Sequence, residues 1–157
     1  MSKSTPATQA LSRAGIPFSL ATYDYDPNAE RVGLQAADAM GVSPSEVFKT
    51  LMALLDGKPV CAIVPSDEEV NMKKLAAALG GRSAQMMKPA DAERLTGYKI
   101  GGISPLGQRK TVPTVLDELA TLHDEIFLNG GRRGLQIRLR PADLIAAADC
   151  ITADLVR

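Results

Sequence analysis

The chain has 157 residues, 18 basic and 18 acidic side chains, and a formal net charge of zero. This length fits one domain with a full core, and the balanced charge excludes a protein that grips nucleic acid through its backbone alone, which would need a basic excess. No apolar run approaches the roughly 20 residues that span a membrane, and the first residues lack the apolar core of a signal peptide, so we predict a cytoplasmic protein.

The first half of the chain contains five segments in which capping residues or hydrophobic periodicity predict a helix or a strand. They are a helix capped by Thr5 and running to Gly15, a strand over residues 17–23, a helix over residues 32–40 that ends at Gly41, one capped turn at residues 43–46, and a strand over residues 47–55. The Asp56-Gly57 dipeptide is a hairpin signal, and it joins the last strand to another at residues 60–64.

The second half continues the alternation of helices and strands. We predict a helix capped by Asn71 and running to Leu79, a helix from Pro89 to near Gly97, strands over residues 125–129 and 135–140, a helix over residues 141–148, and a last strand over residues 150–153. Met86 and Met87 are interpreted as core filling. The pattern predicts a single α+β domain over residues 1–157, built around a mixed or largely antiparallel sheet.

Lys49 lies inside the strand predicted over residues 47–55. Strand alternation places its side chain on the same face as Val47, Leu51, Ala53 and Leu55. A lysine on an apolar face must extend its ammonium group to solvent, pair with a carboxylate, or bind a ligand. The sequence leaves these alternatives open.

A glycine-rich segment, TGYKIGGISPLG, occupies residues 96–107. Gly101 and Gly102 can adopt positive φ and let a ligand approach the main chain, and Pro105 stiffens the exit from the segment. Such a loop either forms an ordinary tight turn or presents N–H groups to an anion or oxyanion.

Several common catalytic arrangements are excluded by what the chain lacks. His123 is the only histidine, and Cys61 and Cys150 both lie in apolar runs typical of buried thiols. Ser-His-Asp and Cys-His sites are therefore hard to build, and no zinc-ligand spacing is present. We predict no cofactor and no metal. A site made of backbone donors, hydroxyls and one lysine suits an activated ester better than an amide.

Six short motifs occur in one order from residue 22 to residue 135. They are Thr22-Tyr23, Asp26-Pro27, VFKTL at 47–51, KKL at 73–75 followed by ALG at 78–80, TGYKIGGISPLG at 96–107 and GGRRGL at 130–135. With them the chain resembles the YbaK/EbsC family of aminoacyl-tRNA deacylases, relatives of the editing domain inserted in bacterial prolyl-tRNA synthetase. The resemblance implies a curved, barrel-like sheet.

The resemblance also implies hydrolysis of mischarged aminoacyl-tRNA, with Cys-tRNA(Pro) or Cys-tRNA(Cys) as substrate and the substrate thiol attacking its own ester. On this hypothesis Lys49 fixes a phosphate or carbonyl oxygen, and the N–H groups of residues 101–103 hold the substrate carbonyl or the terminal ribose. The residues assigned to the site are Lys49, Gly101 and Gly102 for catalysis and Tyr23, Thr50, Ile103, Ser104, Arg132 and Gln136 for substrate binding.

Three positions depart from the family pattern. Ala21 and Tyr25 stand where some members carry histidine, and Gln136 stands where members often carry an acid. Because an amide offers no countercharge to a substrate amine, the amino-acid preference stays open. The alternatives are a deacylase for alanine or serine and a non-catalytic module that binds tRNA or a synthetase. The predicted partners are the acceptor end of tRNA and prolyl-tRNA synthetase, with no membrane.

Overall fold

The computed structural model describes residues 4–28 and 31–157. These residues form five α-helices and eight β-strands. The helices are α1 (Pro6–Arg13), α2 (Val32–Met40), α3 (Met72–Ala78), α4 (Pro89–Thr96) and α5 (Pro141–Ala148). The strands are β1 (Ser19–Thr22), β2 (Phe48–Leu55), β3 (Lys58–Pro65), β4 (Ala84–Met86), β5 (Thr114–Asp117), β6 (Ile126–Asn129), β7 (Leu135–Leu139) and β8 (Ile151–Ala153).

The strands form two sheets. The smaller sheet has the order β1-β7-β6 and is antiparallel, and the larger has the order β4-β2-β3-β5-β8 with antiparallel pairs at one end and parallel pairs at the other. One parallel bridge between Val47 and Phe127 links them. The α+β class with mixed and antiparallel pairing is confirmed. The two sheets do not close into a barrel, because this single bridge is not extended into a ladder.

The β2–β3 hairpin is the longest pairing in the molecule, with eight residue pairs from Phe48 opposite Pro65 to Leu55 opposite Lys58. Asp56 and Gly57 both have positive φ, 50° and 83°, as a two-residue hairpin turn requires. Both faces of the hairpin are covered by apolar side chains. The hairpin therefore provides a stiff support for the residues along its free edge.

Three groups of apolar side chains make up the core. The largest packs Phe48, Met52 and Ile63 of the hairpin against the small sheet, α1 and α5. A second group lies on the opposite face of the hairpin, where Ala53, Val64 and Leu75 meet. The side chains on the two faces of β2 therefore belong to two different apolar groups. The edge of β2 lies between these groups.

Most predicted elements are confirmed to within one to three residues at each end. The caps are Thr5, Ser43 and Asn71, each accepting a backbone N–H through its side chain, and α2 and α4 end at Gly41 and Gly97 in the left-handed conformation. No helix in the described ranges is long and apolar enough to cross a membrane.

Two strands were not predicted, and one core assignment is wrong. β5 is fully buried between two parallel neighbours, so it shows no polar alternation, and β4 has only three residues. Met87 lies in the core, whereas Met86 is 48% exposed. Consecutive strand residues point to opposite faces, so the pair could not both fill the core.

Candidate functional site

A cleft of about 450 Å³ lies along the free edge of β2. Its walls come from the start of α2, the chain entering α4, the glycine-rich loop and the ends of β6 and β7. Arg31, Lys49 and Glu69 are the charged side chains among the described lining residues. Arg31 and Glu69 are 3.7 Å apart and form an ion pair at the rim.

The cleft exists because β2 separates from both neighbours on this edge. β4 pairs only with residues 53–55, and the bond from the Met87 N–H to the Met52 carbonyl is the last contact before Pro89 opens α4. At the start of β2, the one backbone bridge to β6 among the described residues joins Val47, just before the strand, to Phe127. In the described part of the chain no strand pairs with residues 49–51 along this edge, so these residues form the floor of the cleft.

Lys49 is partly buried in this floor. Burial lowers the pKa of its ammonium group, and the nearby Arg31 lowers it further, while Glu69, Asp67 and Glu68 act in the opposite direction. Within residues 4–28 and 31–157, the Lys49 ammonium group makes no hydrogen bond and no ion pair, although its main chain pairs with Val64 of β3. A partly desolvated cation without a partner is expected where a ligand supplies the missing negative charge.

Thr50 and Gln136 line the same cleft, and each has a buried side-chain oxygen that receives no hydrogen bond from the described residues. Gln136 is 2% exposed. Buried polar atoms are normally paired, and unpaired ones cost free energy of about 1–3 kcal/mol each. Together with Lys49 they form a polar floor that a bound substrate would complete.

Tyr23 lies behind this floor and does not line the cleft. Its N–H donates to the Gly134 carbonyl, which continues the β1–β7 pairing. Burial raises the pKa of its hydroxyl, and Gln136 opposes that rise from close by. The two side chains are neighbours, but the Tyr23 hydroxyl does not reach hydrogen-bond geometry with a described residue. Tyr23 therefore contacts the site through Gln136.

The glycine-rich loop is held closed at its ends. The Tyr98 hydroxyl is buried and donates to the Leu106 carbonyl at 2.6 Å. Burial raises the pKa of Tyr98 to about 12, so the phenol keeps its proton and remains a donor. The loop is thus a fixed wall of the cleft.

Within the loop, Gly101 and Ile103 line the cleft and Gly102 lies beneath them. Gly101 has φ +87°, as the sequence predicted. The N–H of Gly102 donates to the Lys99 carbonyl at 2.8 Å, so it is not a free donor, contrary to its assigned role. In the described structure the N–H groups of Gly101 and Ile103 have no such partner, which leaves them as the candidate donors of the loop.

Two further predicted residues, Ser104 and Arg132, lie outside the cleft lining. Ser104 is fully buried, and its hydroxyl accepts the Leu106 N–H at 3.2 Å, which is a local turn role. Arg132 packs its backbone against Gly102 and donates its N–H to Asn129. Neither side chain lines the cleft, so both are corrected from substrate contacts to supports of the wall.

Asn129 was missed by the sequence analysis. It is 8% exposed and lines the cleft, and its amide donates to the Gly101 carbonyl at 3.1 Å. Its oxygen accepts the N–H groups of Gly131 and Arg132. One side chain therefore joins the glycine-rich loop to the turn after β6. Its position just before Gly130-Gly131 was the available signal, because asparagine commonly caps such turns.

The thiols and the histidine are not part of the cleft lining. Cys61 and Cys150 are free and buried, as predicted, and burial raises their pKa values to about 12 and about 11. Both remain protonated near neutral pH and are poor nucleophiles. His123 packs edge-on against the Phe48 ring, 6.5 Å between centroids.

The cleft brings one lysine, two unpaired side-chain oxygens and the glycine-rich loop together within an α+β fold of two sheets. The aminoacyl-tRNA editing domain model matches residues 26–147, which is most of the chain. The chain belongs to the aminoacyl-tRNA editing domain family, and the predicted resemblance to YbaK/EbsC proteins is confirmed.

Three similar proteins illustrate the range of the family. EbsC of Enterococcus faecalis, named for Cys-tRNA(Pro)/Cys-tRNA(Cys) deacylase activity, is 32% identical over 90% of this chain and 87% of its own length. The multifunctional Ser/Thr-tRNA deacylase ProXp-y of Escherichia coli is 28% identical over 88% of this chain and 83% of its own length. A crystal structure described as a trans-editing enzyme for prolyl-tRNA synthetase is 25% identical, with a TM-score of 0.84 over 98% of each chain.

The predicted enzyme class, aminoacyl-tRNA deacylase, is confirmed at the level of the family.

Proposed function

We propose that this protein hydrolyses the ester between tRNA and a small mischarged amino acid, and that Cys-tRNA(Pro) is its main substrate. The observation that carries the proposal is the ammonium group of Lys49, which has no hydrogen bond or ion pair with a described residue. It lines the same cleft as Thr50 and Gln136, whose side-chain oxygens are unpaired, and as the glycine-rich loop. A cation and fixed N–H donors around an ester stabilise the oxyanion that develops when the carbonyl is attacked.

Each cleft residue has a separate task in this proposal. Lys49 holds a carbonyl or phosphate oxygen of the acceptor end, and the N–H groups of Gly101 and Ile103 hold the second oxygen of the reacting ester. Thr50 and Gln136 accept hydrogen bonds from the substrate α-ammonium group, which has three donors and needs acceptors when it is desolvated. Their free oxygens support this assignment.

The nucleophile comes from the substrate when the amino acid is cysteine. The substrate thiol loses its proton, its sulfur forms a bond to the ester carbonyl carbon, and the bond from that carbon to the ribose oxygen breaks. The ribose oxygen takes up a proton, and cysteine leaves as a thiolactone that water then opens. A free thiol has a pKa of about 8.5, so a few per cent is thiolate near pH 7, far more than for a hydroxyl.

Two observations support cysteine over other amino acids. The lining residues in the described structure include no cysteine or histidine, and the high pKa values of Cys61 and Cys150 make them unsuitable attackers. The relative that covers the chain at 32% identity is named for cysteinyl-tRNA. A deacylase for serine or threonine is the second candidate, since ProXp-y carries that name and the neutral Gln136 favours no particular side chain.

The net charge of zero fits a protein that works on the acceptor end while a second protein holds the rest of the tRNA. We propose prolyl-tRNA synthetase as that partner, in the cytoplasm. The structural relative described as a trans-editing enzyme for this synthetase supports the proposal.

The function is tested with tRNA(Pro) charged with cysteine, alanine, serine or proline. Loss of the ester is followed with and without the protein and with and without prolyl-tRNA synthetase. We expect Cys-tRNA(Pro) to be deacylated fastest and Pro-tRNA(Pro) to be spared. If all four esters decay at their spontaneous rates under every condition, the proposed function is wrong.

The mechanism is tested by comparing cysteinyl with seryl and S-methylcysteinyl esters. Attack by the substrate thiol predicts a large preference for cysteine, a rate that rises with pH toward the thiol pKa, and no reaction once the sulfur is methylated. The double variant Cys61→Ala/Cys150→Ala is expected to retain activity if it folds. Equal rates for the cysteinyl and seryl esters would indicate attack by water instead.

A further inference from the structure

A small exposed surface adjoins the glycine-rich wall of the cleft. We call Tyr25, Ile100 and Arg133 the rim surface. The Arg133 guanidinium lies over the Tyr25 ring, with its carbon 5.3 Å from the ring centre, and its Nε donates to the Ile100 carbonyl at 2.8 Å. Arg133 is exposed and Tyr25 is partly buried. The guanidinium is therefore held close to the ring, with its Nε fixed by the Ile100 carbonyl.

This surface is continuous with the cleft. Ile100 and Gly101 line the cleft, and a Cβ placed on Gly101 would meet the Tyr25 hydroxyl at 2.8 Å. The N–H of Ile100 donates to Glu93 at 2.9 Å, so the main chain of Ile100 is fixed from both sides. The rim surface is thus rigid, and a group leaving the cleft past Gly101 would contact it.

The rim surface also exposes apolar area. Four large apolar side chains of the described residues are exposed, and two of them border the cleft: Ile100 at 39% and Met86 at 48%. The guanidinium group is planar, and Arg133 is exposed beside an apolar side chain. This combination matches the chemistry of a nucleobase, which has two apolar faces and stacks on arginine or on aromatic rings.

We propose that the rim surface binds the 3′-terminal nucleobase of the tRNA by stacking on Arg133. The inference rests on the proposed function, because the ester in the cleft is joined to the ribose that carries this base. It assigns Arg133 a contact with a base, as distinct from a contact with a phosphate. Lysine keeps the charge of arginine but cannot stack, so the two roles are separable.

The test measures binding and needs no catalysis. A labelled CCA trinucleotide and the same RNA with an abasic 3′ ribose are titrated against the wild-type protein and against Arg133→Lys. Stacking of one base predicts that the wild type binds the abasic RNA about fivefold more weakly or worse. In Arg133→Lys the two RNAs bind equally well, to within about twofold. Tyr25→Leu, which removes the ring beneath the guanidinium, gives the same loss of discrimination.

The chain offers a matched control. Arg138 lies over the Phe127 ring at the same 5.3 Å, and neither residue lines the cleft. Arg138→Lys is therefore expected to discriminate between the two RNAs as the wild type does. Thermal unfolding of each variant checks that it is folded.

Three results would overturn the inference: equal discrimination by Arg133→Lys and the wild type, no discrimination by the wild type, or no measurable binding of the trinucleotide. The outcome is distinct from that of the proposed function. A wild type that discriminates but deacylates nothing supports the rim surface and refutes the function. An active wild type that does not discriminate refutes only the rim surface.

Discussion

A cation on a partly buried strand edge usually has a carboxylate beside it, and Lys49 has none within 4 Å in the described structure. Arg31 and Glu69 both influence its pKa, but they pair with each other at 3.7 Å, and Glu69 also pairs with Arg157 at 3.1 Å. Desolvation therefore acts on Lys49 with little compensation, and its pKa is lowered. The unpaired groups of the cleft therefore lower the stability of the fold, which is typical of residues retained for a function.

The first prediction concerns the pH dependence of stability. Because the folded pKa of Lys49 lies below its unfolded value of 10.5, the unfolded state binds more protons, and this residue destabilises the fold at low and neutral pH. Lys49→Met is therefore expected to melt at or above the wild-type temperature at pH 7, with the difference shrinking as the pH rises toward 10.5. Lys73→Met, at an exposed position on α3, is the control. A strongly destabilised Lys49→Met would show that the lysine is structural.

The second prediction compares two threonines. Thr50→Val removes an unpaired hydroxyl, so we expect unchanged or higher stability together with a roughly 3- to 10-fold loss of deacylation, the value of one hydrogen bond to substrate. Thr114→Val removes a hydroxyl that donates to the Val112 carbonyl, so we expect a loss of about 1 kcal/mol in unfolding free energy and normal activity. Melting curves and single-turnover rates measure both. The reverse pattern would contradict the assignment of the site.

At the scale of elements, the glycine-rich loop is fixed by the turn between β6 and β7. A Cβ on Gly102 would lie 2.9 Å from the Arg133 nitrogen and 3.0 Å from the Arg132 carbonyl carbon, both backbone atoms that cannot move aside cheaply. The glycine pair thus has two different purposes. Gly101 presents main chain to the cleft, and Gly102 lets two loops touch.

The third prediction follows from this packing. Gly102→Ala is expected to lower the unfolding free energy by about 1–3 kcal/mol and to reduce activity through displacement of the loop. Lys99→Ala, at an exposed position in the same loop, is expected to change stability by less than about 0.5 kcal/mol. Chemical denaturation measures both. Wild-type stability in Gly102→Ala would mean that the two loops are not in contact.

The fourth prediction concerns the closure of the loop. Tyr98→Phe leaves the buried Leu106 carbonyl without its donor, and we expect a loss of about 1–2 kcal/mol. Tyr23→Phe removes a hydroxyl with no partner in the described residues and is expected to cost no stability. Denaturant midpoints of the two variants provide the comparison. Equal losses would argue against a distinct role for the Tyr98 hydroxyl.

At the scale of the whole molecule, local signals predicted most elements, and long-range packing decided the rest. The N-cap at Asn71, the helix end at Gly41 and the Asp56-Gly57 turn depend only on local side chains and dihedral angles. The sequence was therefore sufficient to predict them. β5 and the gap beside residues 49–51 depend on which strands become neighbours, which no local pattern encodes.

The residues of the candidate site also fall into those that local sequence identifies and those that depend on long-range contacts. Lys49 and the glycine pair stood out by residue type, whereas Asn129 and the burial of Ser104 depend on contacts between distant segments. The assignment of all 157 residues to one editing domain stays a prediction, since the family model matches residues 26–147.

The most direct test of the account is the single-turnover rate of deacylation of Cys-tRNA(Pro) by the wild type and by Lys49→Met, each shown to be folded, against the spontaneous rate. The account predicts rapid ester loss with the wild type and a rate lower by about 100-fold or more with Lys49→Met, because the oxyanion or phosphate loses its cation. A wild type no faster than spontaneous hydrolysis, or a folded Lys49→Met that matches the wild type, would contradict it.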